Sequence, residues 1–507
     1  MRIHFSLVCF LLIFANCLQA APWVETDDVS LRADIQLLAD TGLINVPVTT
    51  YPLMWASIAP YLQDADLAKY SQAQHNAFFR VKRALRFATA SNTKNKLSLF
   101  TSKSTPRFTS FGFNQHSSKE AKLSSEFVGN DFAFKFQVNK REKNIQQQSS
   151  NKNNFDGSYY ANKIGNWILR ADAINKWWGP GLDTSLILSN NARPIPAISI
   201  SRNNTDEFET PWLNWIGPWT FTAQIAHLEH KRFIADAKLW NSRATFKPFK
   251  KLEIGLAWSY QWGGKGQPES FQTFVDGLLG QTECFDGSSN CDEALLTKLG
   301  NQLAGFDARW GDSFYGIPYA IYAQTIGEDS PSPGTLQITD KAFLYGLETQ
   351  FSIAQQRILL NFEYTDTQVS CASAEDTSQD CYYEHAIYRS GYRYRQRSIG
   401  STYDNDAETI AITAVGRLIN GDFWQVKIRK LKLNTNNRDL YPEDPFLGNS
   451  VSKVFETTDE VSIEYHKFFE KNKIVLGVSI QRSTFDTNSN DESHNESNYF
   501  IEYEYLF

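Results

Sequence analysis

The densest set of chemically capable side chains is the run Tyr388-Arg389-Ser390-Gly391-Tyr392-Arg393-Tyr394-Arg395-Gln396-Arg397. In an extended chain Arg389, Arg393, Arg395 and Arg397 share one face and Tyr388, Tyr392 and Tyr394 the other, because side chains alternate along a strand. Four guanidiniums in a chain of net charge −6 form a cationic stripe suited to carboxylates or phosphates on a polymer. A ladder paired with Asp and Glu of neighbouring strands is the competing reading. Trp177 and Trp178, followed by Gly179-Pro180-Gly181 and Asp183, put flat aromatic faces and a carboxylate at one turn, a set that can stack on sugar C–H surfaces and reach hydroxyls. The same two rings would serve in an aromatic girdle at a membrane interface, which is the preferred reading for them. Arg193 and Arg202 fit a sugar site or an internal charge network equally well.

Covalent chemistry has no comparable support. The sequence holds no Gly-x-Ser-x-Gly, no His-Glu-x-x-His and no phosphate-cradling glycine loop, so no catalytic set, cofactor or metal is expected. His227 and His230 stand three apart, which puts them on opposite sides of a strand and predicts a polar loop rather than a metal pair. Of six cysteines, Cys9 and Cys17 lie in the first twenty positions, and the others form two close pairs, Cys284/Cys291 and Cys371/Cys381, in polar Gly/Ser/Asp-rich stretches. The spacing predicts two local disulfides in an oxidising compartment, and a zinc site from all four lacks paired ligand spacing.

The elements that must carry these residues fall into three regions. Arg2 and His4 precede the apolar run Phe5 to Ala15, and Leu18-Gln19-Ala20-Ala21 follows; this reads as a signal peptide cleaved after Ala20. A membrane anchor would need a longer run, and Asn16 suits acylation of Cys17 poorly. No later stretch approaches a spanning helix, so membrane residence would require strands. The region 21–94 is expected to be a small helical bundle. Leu31, Ile35 and Leu38 recur with helical period and Gly42 stands where the helix would stop. A short helix fits Leu53 to Leu62, and a third opens at Ser71 with Ala77, Phe78, Val81, Ala84 and Leu85 on one face and Arg80, Lys82, Arg83 and Arg86 largely on the other.

From 95 to 507 the period is two, as in Phe132/Phe134/Phe136/Val138, Leu252/Ile254/Leu256/Trp258/Tyr260 and Ile474/Leu476/Val478/Ile480. Polar stretches such as Lys143 to Ser158 and Thr487 to Asn498 separate these segments. In the last one Tyr499, Ile501, Tyr503, Tyr505 and Phe507 share a face and Asn498, Glu502 and Glu504 the other. A soluble edge strand with that apolar row would aggregate, whereas a lipid-facing strand requires it. Tyr503, Tyr505 and Phe507 also resemble the terminal signal by which outer-membrane barrels are assembled. The fold class is therefore mostly β, a transmembrane antiparallel barrel; at roughly 20–25 residues per strand and connection it has about 16–20 strands, with eighteen the central even value. The acidic balance and absent basic tracts exclude a nucleic-acid partner.

Six stretches stand in an order that identifies a family: Leu37–Asn45 (LLADTGLIN) with Tyr51-Pro52-Leu53, Asn175–Gly181 (NKWWGPG), Trp212–Trp219 (WLNWIGPW), Gln261–Pro268 (QWGGKGQP), Asn301–Asp307 (NQLAGFD) and Gln324–Asp329 (QTIGED). Together they resemble the capsule assembly Wzi family over nearly the whole mature chain. The resemblance implies an outer-membrane barrel with its helical bundle in the periplasm and its loops outside. It also implies a largely occluded lumen, a lectin role that attaches capsular or other surface polysaccharide to the cell, and no catalysis. Trp177, Trp178, Asp183, Arg193, Arg202, Arg389, Tyr392, Arg393 and Arg395 then become the glycan-binding candidates. The expected partners are an acidic surface polysaccharide, outer-membrane lipid and the barrel assembly machinery. The stretches 281–299 and 369–381 depart from the family pattern, so the glycan can differ. A diffusion channel and an outer-membrane hydrolase are the alternative functions.

Overall fold

The computed structural model describes residues 23–63, 67–142, 153–279, 300–328, 338–354, 356–369, 381–486 and 491–507. The proposed signal peptide, Cys284, Cys291 and Cys371 lie outside them. Cys381 is disulfide-bonded.

The alternating segments form one closed antiparallel barrel. Its strands are β1 (Thr93–Ser102), β2 (Lys119–Val128), β3 (Phe132–Arg141), β4 (Asn153–Asn154 continuing as Tyr159–Ile164), β5 (Trp167–Asp172), β6 (Ala197–Arg202), β7 (Trp219–His227), β8 (Lys238–Phe249) and β9 (Leu252–Trp262). They continue as β10 (Asn301–Phe314), β11 (Ile317–Glu328), β12 (Lys341–Ile353), β13 (Gln356–Asp366), β14 (Glu408–Arg417), β15 (Phe423–Leu433), β16 (Glu456–Phe468), β17 (Asn472–Asp486) and β18 (Asp491–Leu506). Both pieces of β4 pair with β3, which makes the count eighteen. β18 closes onto β1, from Phe500 opposite Ser102 to Leu506 opposite Lys96. Phe132, Phe134, Phe136, Tyr499 and Ile501 face outward and exposed, as a lipid-facing band requires. The strand β18 runs further than the polar composition of 487–498 suggests, because pairing with β17 persists from Asp486 opposite Asp491 and needs no apolar face beyond the bilayer.

Three strand glycines sit directly opposite an aromatic residue: Gly346 opposite Tyr322, Gly416 opposite Trp424 and Gly477 opposite Phe500. In each pair the ring occupies the volume a Cβ would need. Filling one such notch forces the ring out of its site, at a cost of about 1–3 kcal/mol for overpacking. Gly477→Val is accordingly expected to lower the amount of heat-modifiable barrel severalfold, and adding Phe500→Ala is expected to restore it; unchanged levels in the single variant would contradict this.

The helices α1 (Val29–Asp40), α2 (Trp55–Ile58) and α3 (Gln72–Thr89) fall where the helical period places them. The Asp28 carboxylate caps α1 by accepting from Leu31 N at 2.9 Å, and Gly42, at φ 76°, ends it. Ser71 and Gln74 form a reciprocal capping box on α3. The setting of α1 differs from a free bundle. Its polar residues Arg32, Asp34 and Gln36 are as buried as Ile35 and Leu38, because α1 inserts into the barrel end where polar wall residues meet it. Arg80 of α3 likewise donates to Asp34 at 2.7 Å instead of facing solvent.

From the opposite end two long connections, 173–196 and 381–407, fold inward. Trp178, Leu186, Ile187, Tyr382, Tyr383, Tyr388, Tyr392 and Ile399 pack there against Leu303, Tyr322 and Leu344 of the wall. Arg32 Nη2 donates to Pro180 O at 2.6 Å and Gly181 O at 2.8 Å, so the two inserted parts meet and form a plug in the lumen.

Candidate functional site

The structure takes most of the predicted binding residues into the plug. Trp177 and Trp178 pair with Tyr51 and Thr50 in a two-residue ladder inside the lumen and are at most 1% exposed. They therefore form neither a membrane girdle nor a sugar platform. Trp177 Nε1 donates to Gly181 O at 2.9 Å, and its ring meets Phe111 edge-on at 5.5 Å. Asp183 accepts from Arg429 at 2.8 Å and pairs with Lys427 at 3.0 Å. Burial alone would raise its carboxyl, but these two cations outweigh it and hold the group far below the usual range. Arg193 is buried and forked onto Asp156 at 2.8 and 3.1 Å. Arg202 lies 3.7 Å over the Trp219 ring and donates to Trp219 O at 2.8 Å, at the end of the barrel where the helices sit.

The arginine stripe does not exist. Arg395 and Gln396 both have positive φ, 49° and 62°, and make a tight turn between Arg393 and Ser398. The run is thus folded back, and its alternation has no common face. Arg393 is buried and donates to Asp404 at 2.8 Å through both Nε and Nη2, and to Glu384 at 2.6 Å. Burial would raise Asp404, yet Arg393 holds it below its ordinary value. Arg397 is buried with its Nη2 on the carbonyls of Pro106 and Arg107, and burial pushes its guanidinium down to about 10. Tyr392 is buried, its hydroxyl donating to Ile187 O at 2.9 Å. Arg395 packs 5.4 Å from the Tyr394 ring.

Arg389 alone of the run is exposed. Its guanidinium lies 5.0 Å over the ring of Phe233, which is 50% exposed. Phe233 sits in the short β7–β8 connection, and that connection is stitched to the inserted segment. Arg232 donates to Arg393 O at 3.0 Å and Gly391 O at 3.2 Å, Phe233 N donates to the Ser390 hydroxyl at 2.9 Å, and Arg395 N donates to Glu229 at 2.9 Å. Four bonds between two loops pre-organise the pair. On the same loop His230 meets Asp236 at 2.7 Å, with His227 at 3.8 Å from that carboxylate. Both imidazoles are exposed, and among the described residues no three His, Cys, Asp or Glu converge as a metal site. Chemically the face offers an aromatic plate, a guanidinium fork and polar imidazoles. The His230-Lys231-Arg232-Phe233 tetrapeptide, basic and aromatic within a turn, is the sequence signal that could have marked it.

The model of the family "capsule assembly protein Wzi" matches residues 89–498. The chain belongs to this family. An uncharacterized 55.8 kDa protein in the cps region of Klebsiella pneumoniae is 30% identical over 352 residues, which cover 69% of this chain and 66% of that relative. The fold matches the structure of Wzi from Escherichia coli with a TM-score of 0.78 at 24% identity, over 95% of this chain and 99% of that one. That protein is described as an outer membrane protein involved in group 1 capsule assembly and a carbohydrate-binding β-barrel. The expected fold of about eighteen strands is the one found in this Wzi-family chain, a closed antiparallel β-barrel.

Proposed function

We propose that this Wzi-family barrel binds a surface polysaccharide, capsular or other, and holds it at the cell surface through the Phe233–Arg389 face, without catalysis. The observation that carries this reading is an exposed aromatic–guanidinium pair on mutually bonded loops above a plugged lumen: a rigid face to bind a chain and, among the described residues, no opening wide enough to pass one. Connection lengths support the orientation. Most turns beside the chain ends are short, as at 129–131, 165–166 and 250–251, with 203–218 the longer exception, whereas several connections at the other end run long, as at 173–196 and 434–455. Short turns mark the periplasmic side of such barrels, which supports a periplasmic position for α1 to α3 and an outer one for Phe233 and Arg389. The outward apolar band contacts lipid, and Tyr503, Tyr505 and Phe507 serve as the assembly signal. Disulfide-bonded Cys381 opens the described segment that carries Arg389.

The double variant Phe233→Ala/Arg389→Ala tests the site. It is expected to shed polysaccharide into the medium with normal heat-modifiable barrel in the membrane, since exposed charges contribute only about 0–1 kcal/mol to stability. Arg389→Lys is expected to retain part of the polysaccharide, because an ammonium lacks the planar fork. Full retention in the double variant would reject this face as the site.

A further inference from the structure

The plug does not seal the lumen along its whole circumference. On the side of β1–β3 and β15–β18 an open space separates it from the wall. One part, about 110 Å³, is lined by Asp27, Lys96, Lys122, Glu464, Lys473 and Glu504 among others. A second, about 60 Å³, is lined by Arg107, Lys427, Arg429, Glu460, Gln481 and Glu496 among others. The two are neighbours, because Phe113, Glu464 and Phe500 line both. Together they reach both ends: Lys96 and Lys473 lie near the short-turn ends of β1 and β17, while Ser104 and Glu496 lie at the long-loop end.

Several charged side chains on this path keep accessible surface inside the barrel. Lys96 is 30% exposed and Glu504 19%, and Asp27 is also exposed. Cations and anions alternate, as in Lys96–Glu504 at 3.4 Å and Lys473–Glu504 at 3.9 Å, so neither sign of ion meets a uniform barrier. The junction is aromatic. Phe113 and Phe500 have ring centroids 5.3 Å apart, and Phe100 lies 5.5 Å from Phe500. Phe113 is held there by the turn 110–113, whose Ser110 and Phe113 exchange backbone bonds at 3.0 and 3.1 Å, and Gly112 N is anchored on Thr26 O of the plug at 2.9 Å.

We propose that water and small inorganic ions, but not sugars, pass along this side passage from one end of the barrel to the other, with Phe113 as its neck. The barrel then has a minor conductance separate from its polysaccharide face. The test uses the purified full chain in planar lipid bilayers in potassium chloride. Wild-type protein is expected to give small, uniform steps, and Phe113→Ala to enlarge them severalfold, because the residue sits in a loop and its removal widens the junction without touching a strand. Glu464→Lys is expected to shift selectivity toward anions. Liposomes carrying either protein are expected to exclude disaccharides. Silent wild-type bilayers, or equal steps from wild-type and heat-modifiable Phe113→Ala protein, would overturn the passage; disaccharide entry through wild-type protein would overturn its size limit.

Discussion

Replacing Arg393 by glutamine is expected to free the inserted segment 381–407 from the lumen while the barrel itself stays closed. Arg393 is the common partner of Asp404 and Glu384, with contacts of 2.6 to 2.8 Å, and all three side chains are buried. Removing one partner of a buried ion pair costs about 3–5 kcal/mol, because the remaining charges lose their compensation. Here two carboxylates are left behind. Strand pairing from β1 to β18 does not involve the segment, so heat-modifiable migration should persist. The segment should become cleavable by trypsin after Arg389 and Arg395 and lose amide protection, and Phe233 should lose its support from Ser390. Arg393→Lys should fall between, keeping the charge without the fork. Arg389→Ala, by contrast, should leave the cleavage pattern unchanged. Equal trypsin resistance in wild type and Arg393→Gln would contradict the central role of this ion pair.

Asp34→Asn should act as strongly at the other end. Asp34 accepts from Arg80 of α3 and pairs with Arg357 of β13 at 2.6 Å, so it joins both helices to the wall. Burial would raise its carboxyl, but Arg357 and Arg80 together hold it below its ordinary value. It is therefore charged at neutral pH. Neutralising it leaves Arg357 buried beside an amide, again a loss of about 3–5 kcal/mol. The expected result is intermittent undocking of α1, seen as wide, noisy conductance in bilayers and as proteolysis within 23–89, with normal barrel levels. Arg309, which grips Asp40 and Glu348, should keep the helix partly attached. Bilayer traces indistinguishable from wild type would show that other contacts carry the docking.

Much of this architecture is legible in the chain. Alternation alone locates strands such as β3, β9 and β17, since a lipid-facing row must be apolar wherever a lumenal row is polar. The caps Asp28, Ser71 and Gln74 act through local hydrogen bonds and are visible for that reason. The candidate site was less readable, because its residues depend on contacts far apart in sequence. Phe233 becomes a platform only through Ser390 and Arg389 on another loop. The arginine run looked extended because Arg395-Gln396 lacks the glycine or asparagine that usually announces positive φ. Trp177 and Trp178 looked like girdle residues beside a Gly-Pro turn, yet their partners Tyr51 and Thr50 come from the opposite end of the barrel. The burial of α1 was hidden for a related reason: Arg32 and Asp34 would be solvent residues on an ordinary helix, and only a polar lumen offers them partners.

The most direct test of the account is binding of purified, detergent-solubilised protein to immobilised surface polysaccharide from the producing strain. Wild-type protein should bind, with affinity falling as salt rises if the polymer is acidic, because its carboxylates or phosphates would meet the guanidinium of Arg389. Phe233→Ala/Arg389→Ala protein, folded and heat-modifiable, should bind at least tenfold more weakly, corresponding to about 1.4 kcal/mol. Absence of wild-type binding, or equal binding by the double variant, would contradict the proposal that this face holds the glycan.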